Sequence, residues 1–434
     1  MRAFPGSFSV LTLACALLAV PVVANPVGQD FQINELTTDD QTRPDVAAIA
    51  SDHFLVVWGS SVSPGDDTEG PTLVGRRFDR DGNPVSGDFQ LNTATAETQV
   101  LPRLSSSPDG SFVAQWRSPR FDGGQTIDTL QAQAFNSAGQ PTADAFQVSM
   151  VMEEFTSFLN HDVALRGGVA EGAGELVVAA ADFYVHQGVT GSTTSMGRFT
   201  VGGTTQDSRI LDDTVGFGRV AVDQSDSGFV VVWQQANQTQ ALRYASDGSQ
   251  LGDAIDLQGE IDVGTGASVD VAYDAASGDF ITVWGANESV AEEHIRIYTR
   301  RVDAAGLPDP GGPVAINTDA AATNDSAQIA RDVDGSWFAV WRTNSSAEDP
   351  TQGIRGRRLA ADGRPVGEEM QINTYTPFSQ WSPRIAAMPN GEGFLVVWQS
   401  EGGDGSGAGV RGRRVASAQI FVDSFESGDL SGWN

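Results

Sequence analysis

Residues 394–398 read FLVVW, and residues 54–58 read the same five letters. Variants stand between them: FVAQW at 112–116, FVVVW at 229–233, FITVW at 280–284 and FAVW at 338–341. A degenerate copy, LVVAA at 176–180, fills the one gap, with Ala180 in the place of the tryptophan. The marks at 58, 116, 180, 233, 284, 341 and 398 are separated by 58, 64, 53, 51, 57 and 57 residues. Periods of this size suit propeller blades of four strands each. Every residue of FVVVW is apolar, so both faces of that strand are buried, whereas a one-sided sheet would alternate. A middle strand sandwiched between two neighbouring blades meets that requirement.

Three further strand-like phrases share the period. Ahead of each tryptophan phrase stands a short inner segment, such as DVAAI (45–49), DVAY (270–273) or RIAAM (384–388). Behind it comes an arginine-rich segment, such as VGRRF (74–78), IRGRRL (354–359) or VRGRRV (410–415), and then a fourth, such as FQLN (89–92), VAIN (314–317) or MQIN (370–373). The connections DRDGNPVSGD, ASDGSQLGD and AADGRPVGEE carry the Asp-Gly and Asn-Pro pairs that tight hairpins need. Copy three is the poorest match and carries long inserts at 150–160 and 183–205.

The ends fit a closed ring. An extra fourth segment, FQIN at 31–34, precedes the first full copy, and the last copy ends after VRGRRV without one. If residues 31–34 supply the outer strand of the last blade, the ring closes. The expectation is therefore an all-β, single seven-bladed β-propeller over 25–419, closed by its N-terminal strand. The alternatives are an eighth blade begun by IFVDSF (420–425), for which too little chain remains, and an open solenoid or two β-sandwiches.

Residues 1–24 have one early positive charge, Arg2, an apolar run from Val10 to Val23, and small residues Val22 and Ala24 before Asn25. That is the layout of a secretory signal peptide. Secretion, to the periplasm or to the cell exterior and surface, is expected. The only cysteine, Cys15, lies in this segment, which removes thiol chemistry and cysteine-bound zinc from the mature chain. Acidic residues outnumber basic ones 56 to 26, a net charge of −30, and every basic residue is arginine. Such a field argues against nucleic acid and anionic membrane surfaces as partners. The expected partner is an extracellular glycan or protein, with no membrane insertion and a monomeric chain.

The phrases GRR(F/L)xxDGxPVG, (F/M)Q(I/L)NT and F(L/V)VVWQS resemble a repeat of bacterial extracellular proteins, and the resemblance covers about 28–418. It implies a propeller-like fold and an external location, and it brings no catalytic residue. The tail at 420–434, IFVDSFESGDLSGWN, resembles a short C-terminal motif of secreted proteins in some Gram-negative bacteria, which implies surface sorting or processing.

One aligned position suggests a site. The residue ahead of the first apolar residue of each inner segment is Asp45, Arg103, Asp162, Arg219, Asp270, Gln328 and Arg384. Signs alternate over five consecutive blades and Arg384 returns to Asp45, so a ring of inter-blade ion pairs around the channel is expected. Calcium is the one cofactor the sequence supports, through the alternating oxygens of Asp79, Asp81 and Asn83, although no EF-hand glutamate follows.

No catalytic constellation stands out. The four histidines (53, 161, 186, 294) are scattered, without an HExxH pair. The sialidase Asp-box is not matched: Trp233 follows Gly228 by five residues rather than three. Two classes stay open. One is a non-catalytic binding or scaffold module. The other is a propeller enzyme acting on extracellular glycans, which would need two carboxylates roughly 5–10 Å apart at the channel mouth.

Overall fold

The computed structural model describes residues 26–417, less short internal stretches such as 149–156, 213–218, 262–267, 288–293 and 345–351. The leader 1–24 and the tail 420–434 therefore lie outside the described residues. Every regular element described is a strand. Six four-stranded antiparallel meanders follow one another in the chain, at 41–90, 100–148, 157–212, 219–256, 269–315 and 323–371; the third adds a short fifth strand, Val189–Gly191. The seventh sheet takes three strands from 380–416 and its outer strand, Pro26–Gln32, from the N-terminus. That strand pairs with Ala408–Ala416 through Phe31 opposite Gly412 and Gln32 opposite Arg411. The protein is a seven-bladed β-propeller, closed by its first strand.

Seven apolar clusters hold the ring, each at one interface between blades. Along Phe54–Trp58, Phe54, Val56 and Trp58 face blade 7 with Leu395 and Val397, while Leu55 and Val57 face blade 2 with Phe112 and Trp116. In blade 7 the same division holds: Leu395 and Val397 face blade 1, and Phe394, Val396 and Trp398 face blade 6. The unbroken apolar run is thus two alternating faces, both buried. Each such side chain stabilises by about 1.5–3 kcal/mol. Because each interface is its own core, the ring escapes the size limit of a single core.

The repeated polar letters are joints. In the FQ(I/L)N phrase the asparagine carboxamide closes the blade edge. Asn34 Oδ1 accepts the Val410 N–H (2.8 Å), Asn92 the Leu73 N–H (3.0 Å), Asn317 the Ile297 N–H (3.0 Å) and Asn373 the Ile354 N–H (2.8 Å). In the GRR phrase the first arginine reaches back. Arg76 Nη1 donates to Ile33 O (2.9 Å), Arg300 to Leu257 O (3.1 Å), Arg357 to Ile316 O (2.8 Å) and Arg413 to Ile372 O (2.7 Å). Each acceptor belongs to the preceding blade. The second arginine reaches forward: Arg358 to Ala416 O (3.3 Å) and Arg414 to Asp81 Oδ1 (3.2 Å). In the Asp-Gly turn, Gly82 adopts φ 82° and donates to Asp79 O at 3.0 Å, a conformation that favours glycine.

Copy three departs from the pattern for a packing reason. Ala180 does hold the tryptophan position, since Asp162 pairs with Ala179 just as Asp45 pairs with Val57. Directly across from Ala180 stands His161, fully buried, with Nδ1 bonded to Gln115 Oε1 of blade 2 at 3.0 Å. Other blades carry Pro44, Pro102, Val220, Val269, Ala327 or Pro383 at the histidine's position. The imidazole stands on the face from which the indole is missing.

Candidate functional site

The inner strands of blades 1, 2, 6 and 7 enter the channel through bulges. Pairing jumps from Thr42 to Asp45, from Val100 to Arg103, from Asp325 to Gln328 and from Trp381 to Arg384. Inside each bulge one non-glycine residue is left-handed: Arg43 (φ 52°), Leu101 (58°), Ser326 (54°) and Ser382 (49°). Such residues cost of order 1–3 kcal/mol each and persist only where the surroundings fix them. Buried amides two residues earlier, Gln41, Gln99, Asn324 and Gln380, anchor the turns; Gln380 Oε1, for example, accepts Trp398 Nε1–H at 2.9 Å. Pro44, Pro102 and Pro383 follow three of the left-handed residues, in bulges where proline does not break the ladder. The four bulged blades are consecutive around the ring.

Six of the seven aligned residues occupy equivalent places. Asp45, Arg103, Asp162, Asp270, Gln328 and Arg384 each pair with the residue just before the tryptophan position. Arg219 does not: it pairs with Gln234, beyond Trp233, and the equivalent residue of blade 4 is Ala221, opposite Val232. The inner strand of blade 4 begins its apolar run two residues early, at Val220. Alignment on the first apolar residue therefore overshoots by one pleat repeat. The ring reads Asp, Arg, Asp, Ala, Asp, Gln, Arg.

Among the described residues the ring holds one ion pair, Arg384 Nε to Asp45 Oδ1 at 3.6 Å. The carboxylates bond chiefly to backbone. Asp45 Oδ2 accepts the Leu104 N–H (2.7 Å), Asp162 Oδ2 the Val222 N–H (2.9 Å) and Asp270 Oδ2 the Ile329 N–H (2.8 Å). In each case the donor lies on the next blade. Blades 2 and 4 place the bridging acceptor two residues further on: Ser105 Oγ takes the Leu165 N–H (2.9 Å) and Asp223 Oδ2 the Tyr273 N–H (2.7 Å). Alternation in the sequence thus follows the alternating place of an inter-blade acceptor.

The channel opens into a cavity of about 390 Å3. Arg384, Arg43 and Arg103, from blades 7, 1 and 2, form one side; Asp162, Asp270 and Gln328, from blades 3, 5 and 6, line the remainder. Arg103 is buried and its guanidinium is fixed by Nε to His161 O (3.1 Å) and Nη1 to Pro102 O (2.8 Å). Burial, with the charges of Arg384 and Arg43, pushes it down to about 10. Burial and the same arginine wall keep His161 well below the usual imidazole range, so it is neutral. Burial raises Asp162 to about 6, against the pull of the Val222 N–H and Arg103. Burial and then the charge of Asp162 raise Asp270 to about 8.

The calcium candidates do not converge on a common centre. Asp79 Oδ1 accepts the N–H groups of Asp81 (2.9 Å) and Asn83 (2.8 Å), its Oδ2 accepts Asn83 Nδ2 (3.0 Å), and Asp81 meets Arg414 of blade 7 (3.2 Å). Their alternate spacing is that of a hairpin turn. Among the described residues no group of three acidic or histidine side chains is arranged to hold a metal ion. The sequence signal for the bulged crescent was the recurrence of proline just ahead of the ring position, in RPD (43–45), LPR (101–103) and SPR (382–384).

Comparison with known proteins places the fold. No family model matches the chain, and no curated protein matches it. Among solved structures it is similar to a protein of unknown function from Dyadobacter fermentans, at 12% identity and TM-score 0.55 over 91% of this chain and 99% of that one. It is also similar to the WD40 domain of Toxoplasma gondii coronin, at 10% identity and TM-score 0.53 over 94% and 90%. A prolyl endopeptidase matches at 14% identity and TM-score 0.50 over 87% of this chain and 47% of its own. At these identities the likeness is one of fold. The class is the β-propeller.

Proposed function

We propose that the protein is a secreted, non-catalytic β-propeller that acts as a binding or scaffold module, taking an extracellular glycan or protein at the mouth of its channel. The observation that carries this reading is the engagement of the channel carboxylates. Asp45, Asp162 and Asp270 each hold an oxygen against the backbone of the next blade. A general acid or nucleophile needs a carboxylate free to reach substrate. The strained bulges and the polar cavity are features of a shaped recognition site. Export rests on the layout of residues 1–24 and the tail motif at 420–434.

A second reading, a propeller enzyme acting on extracellular glycans, draws on the unequal titration of Asp162 and Asp270. Carboxylates set apart by their surroundings are how acid–base pairs are made. One experiment separates the two: the mature chain on a glycan array and in a glycosidase and lyase screen, with and without calcium. Binding without turnover supports the module. Turnover that is lost in Asp162→Asn and Asp270→Asn, with folding intact, replaces it with the enzyme.

A further inference from the structure

We infer that the channel mouth captures a carboxylate carried on a polyhydroxylated ligand, an acidic sugar of the uronate kind, with Arg43, Arg103 and Arg384 as its receptors. The inference rests on the reading that the mouth is the binding site and names what it would bind.

The first arginines of the GRR phrases are committed to joints. Arg76, Arg357 and Arg413 each divide a guanidinium between their own blade and the preceding one. The three at the mouth differ. Arg43 is exposed, and its guanidinium has no hydrogen bond or ion pair among the described residues. Its backbone N–H is fixed by Gln399 Oε1 of blade 7 at 3.1 Å, and its backbone is held at φ 52°, so the side chain departs from a defined point. Arg384 touches Asp45 through Nε alone, which leaves both terminal nitrogens. Arg103 is locked through Nε and Nη1, which leaves Nη2.

Of the three guanidinium groups from consecutive blades, Arg384 meets Asp45, whose other oxygen holds the Leu104 N–H, and Arg103 lies within the field of Asp45 and Asp162. Burial and then repulsion by Arg384 and Arg43 lower the proton affinity of Arg103, and partial burial and then repulsion by Arg117 and Arg384 lower that of Arg43. An anion placed among them relieves that repulsion. In a chain of net charge −30, three arginines gathered on one side of the mouth form a local positive patch, facing a lining that also holds Asp45, Asp162, Asp223 and Asp270.

The rest of the wall selects which anion. Asp162, Asp270, Gln328 and Asn160 line the cavity with acceptors and donors suited to hydroxyl groups. A planar, singly charged carboxylate matches a guanidinium fork. A dianion such as phosphate would set its second charge toward Asp162. The cavity, about 390 Å3, is at the small end of ligand pockets and suits one sugar ring.

The test is titration calorimetry of the full mature chain at pH 7 and low salt, with galacturonate, its methyl ester and inorganic phosphate as probes. The expected result is binding of the acid at least about tenfold tighter than the ester or phosphate (a gap of about 1.4 kcal/mol). Arg43→Gln, at an exposed side chain, should remove that preference with an unchanged melting temperature, and Arg43→Lys should restore part of it. Equal binding of acid and ester overturns the carboxylate inference but leaves the binding module standing. Phosphate binding as tightly as the acid also overturns it, since the mouth would then read charge alone. Silence toward all three probes, with hits elsewhere on the glycan array, overturns it too. Silence on the array as well overturns it and leaves the binding module with a protein as its ligand.

Discussion

The joint that closes the ring can be broken with one substitution, Asn34→Ala. The carboxamide of Asn34 accepts the Val410 N–H at 2.8 Å, and its Nδ2 donates to Leu36 O (2.8 Å), Asp404 Oδ2 (2.8 Å) and Gln41 Oε1 (3.2 Å). Asn34 and Gln41 are both buried, so water does not replace the lost bonds freely. Stranding the Val410 N–H costs about 1–3 kcal/mol, and the donated bonds contribute about 0.5–1.5 kcal/mol each. Shared acceptors and relaxation reduce the sum to a loss of about 3 kcal/mol. Asn373 provides the control, because it makes the same bonds inside an ordinary blade, to the Ile354 N–H (2.8 Å) and Tyr375 O (3.0 Å). These two partners lie within 19 residues of Asn373 in the chain, whereas Asp404 and Val410 are 370 and 376 residues from Asn34. Urea unfolding should give Asn34→Ala the larger fall in midpoint at an unchanged slope. A loss under about 0.5 kcal/mol for Asn34→Ala, or a larger loss for Asn373→Ala, would refute the assignment of closure to this side chain.

Arg413→Lys should cost about 1–2 kcal/mol in the same assay, since a lysine cannot reach Gly28 O and Ile372 O together as the guanidinium does. Ala180→Trp should destabilise by about 1–3 kcal/mol through overpacking against His161. His161→Ala in the same chain should recover about 1 kcal/mol or more as a non-additive term in a double-mutant cycle. Asp270 binds its proton more tightly in the folded chain, up to about 8, so the stability this contributes is present at low pH and is lost as pH rises from ~4 to about 8. Asp270→Asn should flatten that slope in unfolding midpoints measured between pH 5 and 8; an unchanged slope would assign the dependence to other groups.

Blade number and closure were legible because they rest on period and on one misplaced phrase. FVVVW marks a strand buried on two sides wherever it occurs, and FQIN at 31–34 has no role except as the missing outer strand. Ala180 was placed correctly by spacing alone, as its pairing register demonstrates. Arg219 was misplaced because apolar onset is a poor ruler at a strand's entry: in blade 4 the apolar run begins two residues early, at Val220, within a ladder that has no register shift. Sign alternation around the ring was legible as a pattern but not as a cause. A carboxylate facing a neighbour's N–H and one facing a guanidinium are the same letter. Arg43 was missed altogether: its importance comes from a left-handed backbone within a bulge, and the only written trace is the proline that follows.

The pairing of Pro26–Gln32 with Ala408–Ala416 also sets a schedule. Asn34 and Val410 are 376 residues apart, so the first strand to be made receives its partner last. The six meanders between them can form from local contacts as they emerge, but the ring cannot seal until both ends are present. Closing so long a loop carries a heavy entropic cost, and contacts of such sequence separation are slow to form. Until then the arginine-rich strand of blade 7 offers an unpaired edge to any passing chain, a standing invitation to domain exchange. The step that completes the native state is therefore the one most exposed to dilution, temperature and crowding. Refolding yield should be lost there first, well before any single blade fails.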